Sequence, residues 1–240
     1  MDRAWRGQLY GLTVLLPEDV EQRFRDWVAH TPGATWPEWR GHITVLPAFV
    51  ALDSPDAIEA AVARICQAYA PFRLTLNRVR RTQHLIRPHL QTVLLVEPAR
   101  AAPGPLHRLR ADLAATLAPV KEDVHPVYSN HPFLPHVSLT WGLPELEASR
   151  LARAARAARL EASLTVDKLW LVALSHTGTD VLQVDDTRTK PFRLGAAPPL
   201  ARRAGAVGGH RQDTPAPPGA RRGIRAPQAA REEDAPLRSA

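Results

Sequence analysis

The sequence predicts an α+β fold of two lobes, in which mostly antiparallel sheets flank a central cleft and helices lie on the outside. Two observations lead to this prediction. A motif of histidine, apolar residue, hydroxyl residue and apolar residue occurs twice, at His42 and at His136. The elements around each motif also follow the same order, which is strand, helix, motif strand, helix, strand. Each half of the domain is therefore predicted to contribute one histidine strand to the cleft.

The first half begins with a strand that ends at Pro17, and the helix after it has acidic residues early and apolar residues at helical spacing. Pro55 opens the next helix, capped by Asp53 or Ser54. In order, the predicted elements are a strand at 9–16, a helix at 18–30, a loop at 31–40, the motif strand at 41–49, a helix at 55–69 and a strand at 72–79.

The second half repeats this order, and Pro144 opens its last helix with two glutamates in the first turn. In order, the predicted elements are a strand at 91–97, a helix at 103–117, a long loop at 118–132, the motif strand at 134–141, the helix after Pro144 and strands at 164–175 and 181–184. We expect the fold to close near Leu194, so that residues 1–195 form one domain.

Residues 196–240 are predicted to be a disordered tail, because they are rich in proline, alanine and arginine and contain no Phe, Trp or Tyr. The tail carries +4 of the net charge of +7, and its arginines either keep the chain in solution or contact a polyanion. The single cysteine, Cys66, is typical of a reducing compartment, and no apolar run reaches the ~20 residues of a membrane helix. We therefore expect a cytoplasmic monomer without membrane contact.

The two motifs predict a site with two titratable groups. Side chains alternate between the faces of a strand, so Thr44 shares a face with His42, and Ser138 shares a face with His136. Two imidazoles across a cleft are able to act as general acid and general base on one phosphorus atom, since the pKa of histidine lies near working pH. The hydroxyls are able to hydrogen-bond phosphate oxygens. This chemistry requires no metal and no cofactor.

The paired motifs, with Pro135 ahead of the second, resemble the two signatures of the 2H phosphoesterase superfamily, and the order of elements fits that family over residues 8–195. The resemblance implies a two-lobed 2H phosphoesterase-like fold and a metal-independent phosphodiesterase that hydrolyses 2′,3′-cyclic phosphates on RNA ends or nucleotides. His42 and His136 would be catalytic, with His42 as acid and His136 as base. Thr44 and Ser138 would hold the phosphate.

The residues after Ser138 resemble the cyclic phosphodiesterases of this superfamily more than its RNA ligase-like members. RNA ligase-like members have Ala-Arg where this chain has Thr140 and Trp141, so the phosphate-binding arginine of that place is missing. By resemblance, Trp141 lines the substrate pocket, although strict alternation from His136 places it on the core face. The alternatives are 2′-5′ RNA ligase activity, or a nucleotide- or RNA-binding protein with little catalysis.

Other residues are weaker candidates. Tyr128 and His131 lie in the loop before the second motif, where they either contact a base or ribose or belong to an ordinary surface loop. Arg40 is a candidate phosphate contact, and Thr140 is expected on the face of His136. Three tryptophans form either a stacking platform for a base or part of the core: Trp27, Trp36 and Trp39. Four arginines spaced by three after Pro144 form either a solvated helix face or an RNA contact: Arg150, Arg153, Arg156 and Arg159.

Overall fold

The computed structural model describes residues 8–36, 39–99, 101–176 and 182–195. The predicted tail at 196–240 lies outside the described residues. The elements of the first half are β1 (Leu9–Leu15), α1 (Glu18–Ala29), β2 (His42–Ala51), α2 (Pro55–Gln67), β3 (Phe72–Leu76) and β4 (Arg78–Gln83). Those of the second half are β5 (Gln91–Val96), α3 (Pro105–Leu117), β6 (Lys121–Asp123), α4 (Pro126–Asn130), β7 (His136–Leu143), α5 (Glu145–Ala157), β8 (Ala162–Val166), β9 (Lys168–His176) and β10 (Leu182–Arg193).

The α+β prediction is confirmed, and every strand pair among the described residues is antiparallel. The structure differs from the predicted elements at four places. The strand at 72–79 is two strands, β3 and β4, and the strand at 164–175 is likewise β8 and β9, because the chain turns at Asn77 and at Asp167 to join another sheet. The loop at 118–132 contains β6 and α4, and the last strand is longer than 181–184.

The strand pairing shows that the two halves are related by a pseudo-twofold arrangement. In the first half β1 pairs with β2, and in the second half β5 pairs with β7. Each half also contributes a strand to the sheet of the other, since β4 of the first half pairs with β5 and β9 of the second half pairs with β1. β3 and β8 pair with each other between the halves. The two motif strands therefore occupy equivalent places in their sheets.

The sheets place the motif halves of β2 and β7 beside the same cleft. The larger sheet has the order β10-β9-β1-β2-β6, but β6 pairs only with the last residues of β2, from Phe49 to Ala51. The first residues of β2, including His42, therefore have an open side. β7 is the edge strand of the sheet β4-β5-β7, and it contacts β2. Both histidines lie where two sheet edges approach each other.

The helices cover the outer faces of the sheets with apolar stripes. Ser54 caps α2 by accepting the amide of Ala57 at 3.2 Å, and Ile58, Val62 and Cys66 are buried on its inner face. α5 buries small and apolar residues, while the guanidinium of Arg150 donates to the carbonyl of Pro32 at 2.6 Å. None of the helices among the described residues is both long and apolar enough to cross a membrane.

Both motif strands contain a β-bulge directly after the hydroxyl residue. In β7, Leu94 lies opposite Ser138 but Val93 lies opposite Thr140, so that Leu139 is an extra residue. The same shift follows Thr44 in β2, where Thr13 lies opposite Thr44 and Leu12 opposite Leu46. A bulge resets the alternation of side chains, which has direct consequences for the residues that follow.

The bulge in β7 corrects the expectation for Thr140 and removes the obstacle to placing Trp141 in the cleft. Thr140 does not share the face of His136, because the extra residue turns it into the core, where it is fully buried. Its hydroxyl lies 3.5 Å from that of Thr35. Trp141, expected on the core face by strict alternation, is instead 51% exposed.

Replacing Gly142 by alanine is expected to destabilise the fold by about 1 kcal/mol, which lowers Tm by roughly 3 °C for a domain of this size. Gly142 has a φ of +71°, and an added Cβ would meet no atom within 4 Å, so the cost is backbone strain alone. Thermal unfolding measures it. Gly11→Ala is the matched control, because its Cβ would make ordinary contacts of 3.6 and 3.8 Å. Equal Tm values for the two variants would contradict the strain.

Candidate active site

The two motifs meet in a small depression at the junction of the sheets. It is lined by Gly41, His42, Thr44, His136, Val137 and Ser138. Thr44, His136 and Ser138 also line a cleft of about 470 Å³ that opens beside it. The structure thus brings together both histidines and both hydroxyl residues that the motifs predicted. The depression holds the titratable groups, and the larger cleft has room for the remainder of a ligand.

Both imidazoles are oriented by the same backbone contact. The Nδ1–H of His42 donates to the carbonyl of Arg40 at 2.8 Å, and the Nδ1–H of His136 donates to the carbonyl of Leu134 at 2.6 Å. A carbonyl oxygen only accepts, so the proton of the neutral ring is held at Nδ1. In each neutral ring Nε2 is therefore the unprotonated nitrogen, which is able to exchange a proton with a ligand.

The residue before each histidine is fixed in an equivalent way. The carbonyl of Gly41 accepts the amide of Leu16 at 2.9 Å, and the carbonyl of Pro135 accepts the amide of Glu97 at 3.1 Å. These bonds tie the start of each motif strand to the end of its neighbour. The two histidines are consequently held by backbone contacts at both the preceding residue and the ring.

The electrostatic surroundings of the two histidines differ. Burial lowers the pKa of His42, while its bond to the Arg40 carbonyl and the negative charge of Glu21 raise it in part. Burial also lowers the pKa of His136; its bond to the Leu134 carbonyl opposes this shift, and the neighbouring charge of His42 adds to it. The charge of Glu21 thus favours the protonated form of His42, whereas the charge of His42 disfavours the protonated form of His136.

Glu21 lies in α1 behind His42 and is 6% exposed. Its Oε1 accepts bonds from Nε and Nη2 of Arg25 at 3.0 and 2.7 Å, and its Oε2 lies 3.8 Å from Nε of Arg40. The guanidinium of Arg40 is therefore directed to Glu21, and Arg40 is not among the residues lining the cleft. What Arg40 contributes in this structure is the carbonyl that fixes His42.

The cleft beside the histidines has aromatic walls. Tyr128, His131 and Trp141 line it. The sequence left Tyr128 and His131 open between a ligand contact and an ordinary surface loop, and the resemblance implied a place in the pocket for Trp141. The ring of Tyr128 makes edge contacts with His84 and His125, at centroid distances of 6.4 and 6.0 Å. Burial raises the pKa of Tyr128, so its hydroxyl stays protonated and is able to donate. Aromatic faces and a donor are suited to a nucleobase or ribose.

Sequence reasoning missed Arg110, which lies on α3 and lines the cleft. Its Nη2 donates to the carbonyl of Ser129 at 3.1 Å, and its guanidinium lies 4.9 Å from the ring centre of Phe133. The available signal was an arginine inside the apolar stripe of α3, next to Leu106, Leu109 and Leu113. Among the described residues that line the cleft, none is acidic. The cleft therefore favours an anionic ligand.

The tryptophans that the sequence singled out occupy different positions. Trp27 and Trp36 pack against the core, whereas the ring of Trp39 lies 5.2 Å from that of His42. Within the described part of the chain, no three His, Cys, Asp or Glu side chains lie close enough together to hold a metal ion.

The sequence matches the family model of the 2′-5′ RNA ligase superfamily over residues 16–178, a range that includes both motifs. No curated protein sequence matches the chain. Among solved structures, E. coli LigT in its apo form is 20% identical, with 80% of this chain and 99% of LigT covered and a TM-score of 0.48. TT0787 of Thermus thermophilus is 19% identical, with 79% and 98% covered and a TM-score of 0.46. Usb1 of Kluyveromyces marxianus is 13% identical, with 78% and 98% covered and a TM-score of 0.43.

Proposed function

Because the chain belongs to the 2′-5′ RNA ligase superfamily, within the 2H phosphoesterases, we propose that it is a metal-independent phosphodiesterase that opens 2′,3′-cyclic phosphates on RNA ends or nucleotides. One observation carries the proposal. His42 and His136 line one depression together with Thr44 and Ser138, and both rings hold their Nδ1 proton on a backbone carbonyl. Two Nε2 atoms are thus available to one phosphate, which is the requirement for paired acid and base catalysis.

The reaction moves one proton at each histidine. Nε2 of His136 takes a proton from water as the water oxygen forms a bond to phosphorus. The bond between phosphorus and one ribose oxygen breaks, and Nε2 of His42 gives its proton to that oxygen. The product is a ribose phosphomonoester with one free hydroxyl, and proton exchange with solvent restores both rings. The hydroxyls of Thr44 and Ser138 donate to the non-bridging oxygens, where charge builds in the transition state.

The assignment of acid and base rests on the asymmetry around the two rings. Glu21 favours the protonated form of His42, whereas the charge of His42 disfavours protonation of His136. A general acid must carry its proton before the reaction, and a general base must not. The assignment agrees with the one that the family resemblance implied.

Replacing Glu21 by glutamine is expected to move the alkaline limb of kcat/KM to lower pH. The limb falls as His42 loses its proton, and removal of the Glu21 charge lowers the pKa of His42. The pH profile of kcat/KM is the measurement, since it reports groups of the free enzyme. Glu59→Gln is the control, because Glu59 pairs with Lys190 away from the cleft. An alkaline limb that stays in place in Glu21→Gln would contradict the assigned role of His42.

The experiment that tests the proposed function identifies the products. The protein is incubated, with EDTA present, with 2′,3′-cyclic AMP and with an RNA that ends in a 2′,3′-cyclic phosphate, each alone and with a 5′-hydroxyl RNA. Conversion to a linear phosphomonoester is expected. A joined RNA as the main product would favour ligation, in which the 5′-hydroxyl replaces water. Binding without turnover would favour a nucleotide- or RNA-binding protein. Activity that EDTA abolishes and added metal restores would contradict the metal-free mechanism.

A further inference from the structure

Two arginines of β4 lie on the same sheet face as the second histidine motif. Arg80 is opposite Leu94, which is opposite Ser138, and Arg78 is opposite Val96, which is opposite His136. Directly opposite residues of antiparallel strands share a face. Thr82, two residues after Arg80, lines the cleft, and so does Leu94. By the alternation of a strand, Arg78 and Arg80 are thus directed to the cleft side of the sheet.

The distance from these arginines to the phosphate site is short on the scale of a nucleic-acid strand. Neighbouring strands lie about 4.8 Å apart, so β4 lies about 10 Å from β7 across the sheet. The long arginine side chain covers part of that distance. An RNA whose terminal phosphate lies at Ser138 and that leaves the cleft over β4 therefore brings its next phosphates to Arg80 and then Arg78.

The two side chains are exposed, and within the described residues neither guanidinium forms a hydrogen bond or ion pair. The guanidinium of Arg81, by contrast, is paired. Arg81 points to the opposite face of the sheet, where it donates to the hydroxyl of Ser149 at 2.7 Å and lies 3.5 Å from a carboxylate oxygen of Glu145. The cationic groups on the cleft side thus remain available to a ligand.

A basic groove continues from Arg78 at the edge of the sheet. This groove of about 400 Å³ is lined by Asn77, Arg78, Val79, Ala155, Arg156, Arg159, Leu160 and Glu161. Three of these residues are arginines and one is acidic. Because Arg78 lies on the edge strand β4, this groove begins next to the two arginines.

We propose that Arg78 and Arg80 bind the phosphodiester backbone of an RNA strand whose cyclic-phosphate end occupies the histidine depression, so that the protein prefers an RNA end to a free cyclic nucleotide. This inference rests on the proposed function and specifies its substrate class. Charged residues on an edge strand also prevent edge-to-edge association of sheets. That role alone gives no preference between substrates, which makes the two explanations separable.

The test compares three proteins: the wild type, the double variant Arg78→Gln/Arg80→Gln, and the matched control Arg64→Gln/Arg193→Gln. The control loses the same charge from exposed positions on α2 and β10, which contribute no residue to the cleft lining. The first readout is the ratio of kcat/KM for an eight-nucleotide RNA with a 2′,3′-cyclic phosphate to that for 2′,3′-cyclic AMP. The second is the salt dependence of binding of the same RNA with a linear terminal phosphate, followed by fluorescence anisotropy.

The double variant is expected to lower the substrate ratio by about 10-fold or more, and to reduce the slope of log K against log salt by about 1.4, since each contact to a single-stranded phosphate contributes about 0.7. The control variant is expected to keep the substrate ratio and the salt slope of the wild type. A ratio and slope unchanged in the double variant, or reduced equally in the control, would overturn the inference. If the wild type turns over neither substrate, the proposed function fails, while the binding measurement still decides whether these arginines hold RNA.

Discussion

Replacing either His42 or His136 by alanine is expected to lower kcat/KM for hydrolysis of a cyclic phosphate by about 10²- to 10⁴-fold, the usual contribution of one general acid or base. In the proposed mechanism each ring supplies a different proton transfer, and among the described residues that line the depression only these two carry an imidazole or another acid or base group. Removing both histidines is expected to cost little more than removing one, because groups that act in one step are not additive. Steady-state hydrolysis of 2′,3′-cyclic AMP measures all three variants.

The matched control for these variants is His30→Ala. The Nδ1 of His30 also lies at hydrogen-bond distance, 2.7 Å, from a backbone carbonyl, that of Asp26, but His30 is exposed at the end of α1 and does not line the cleft. The His30→Ala substitution therefore removes an imidazole that has a similar backbone contact but lies outside the site, and near wild-type activity is expected. Near wild-type activity in either His42→Ala or His136→Ala would contradict the mechanism.

Removing one of the two hydroxyls is expected to lower kcat by about 10²-fold, in the range measured for a single hydrogen-bond donor to transition-state charge. The variants are Thr44→Val, which keeps the shape of the side chain, and Ser138→Ala. Thr44 and Ser138 each directly precede a β-bulge in a paired strand, so the backbone that carries each hydroxyl donor is fixed before substrate binds. Because the charge on the non-bridging oxygens grows in the transition state, kcat is expected to fall more than KM rises.

Thr44→Ser provides the rescue for this prediction, since it restores the hydroxyl and loses only a methyl group. Activity close to the wild type in Thr44→Ser, together with the loss in Thr44→Val, assigns the effect to the hydrogen bond. An equal loss in both variants would show that packing, rather than the hydroxyl, is responsible. A rise in KM with kcat unchanged would show that the hydroxyls only bind substrate.

The motifs themselves were readable from the sequence because strand alternation fixes the face of each side chain over a few residues. That rule correctly placed Thr44 with His42, and Ser138 with His136, in one depression. It failed for Thr140, because the bulge after Ser138 adds a residue and inverts the alternation. The apolar pattern does not reveal the bulge, since both Leu139 and Thr140 are acceptable core residues of a strand.

The residues that give the two histidines different surroundings come from distant parts of the chain. The charge of Glu21 acts on His42 from α1, and Arg110 lines the cleft from α3, so neither belongs to a local motif. The pairing of β4 and β9 with strands of the other half was likewise not predictable from the sequence. It depends on pairing between strands that are far apart in sequence, and the turns at Asn77 and Asp167 do not specify the partner. Local chemistry was therefore predictable, while its tertiary support was not.

The pH dependence of kcat/KM in the presence of EDTA tests the paired-histidine mechanism most directly. It is measured for the wild type, His42→Ala and His136→Ala on an RNA that ends in a 2′,3′-cyclic phosphate. A paired general acid and general base predict a bell-shaped profile for the wild type, loss of the alkaline limb in His42→Ala and loss of the acid limb in His136→Ala. A bell-shaped profile that persists in both variants would contradict it.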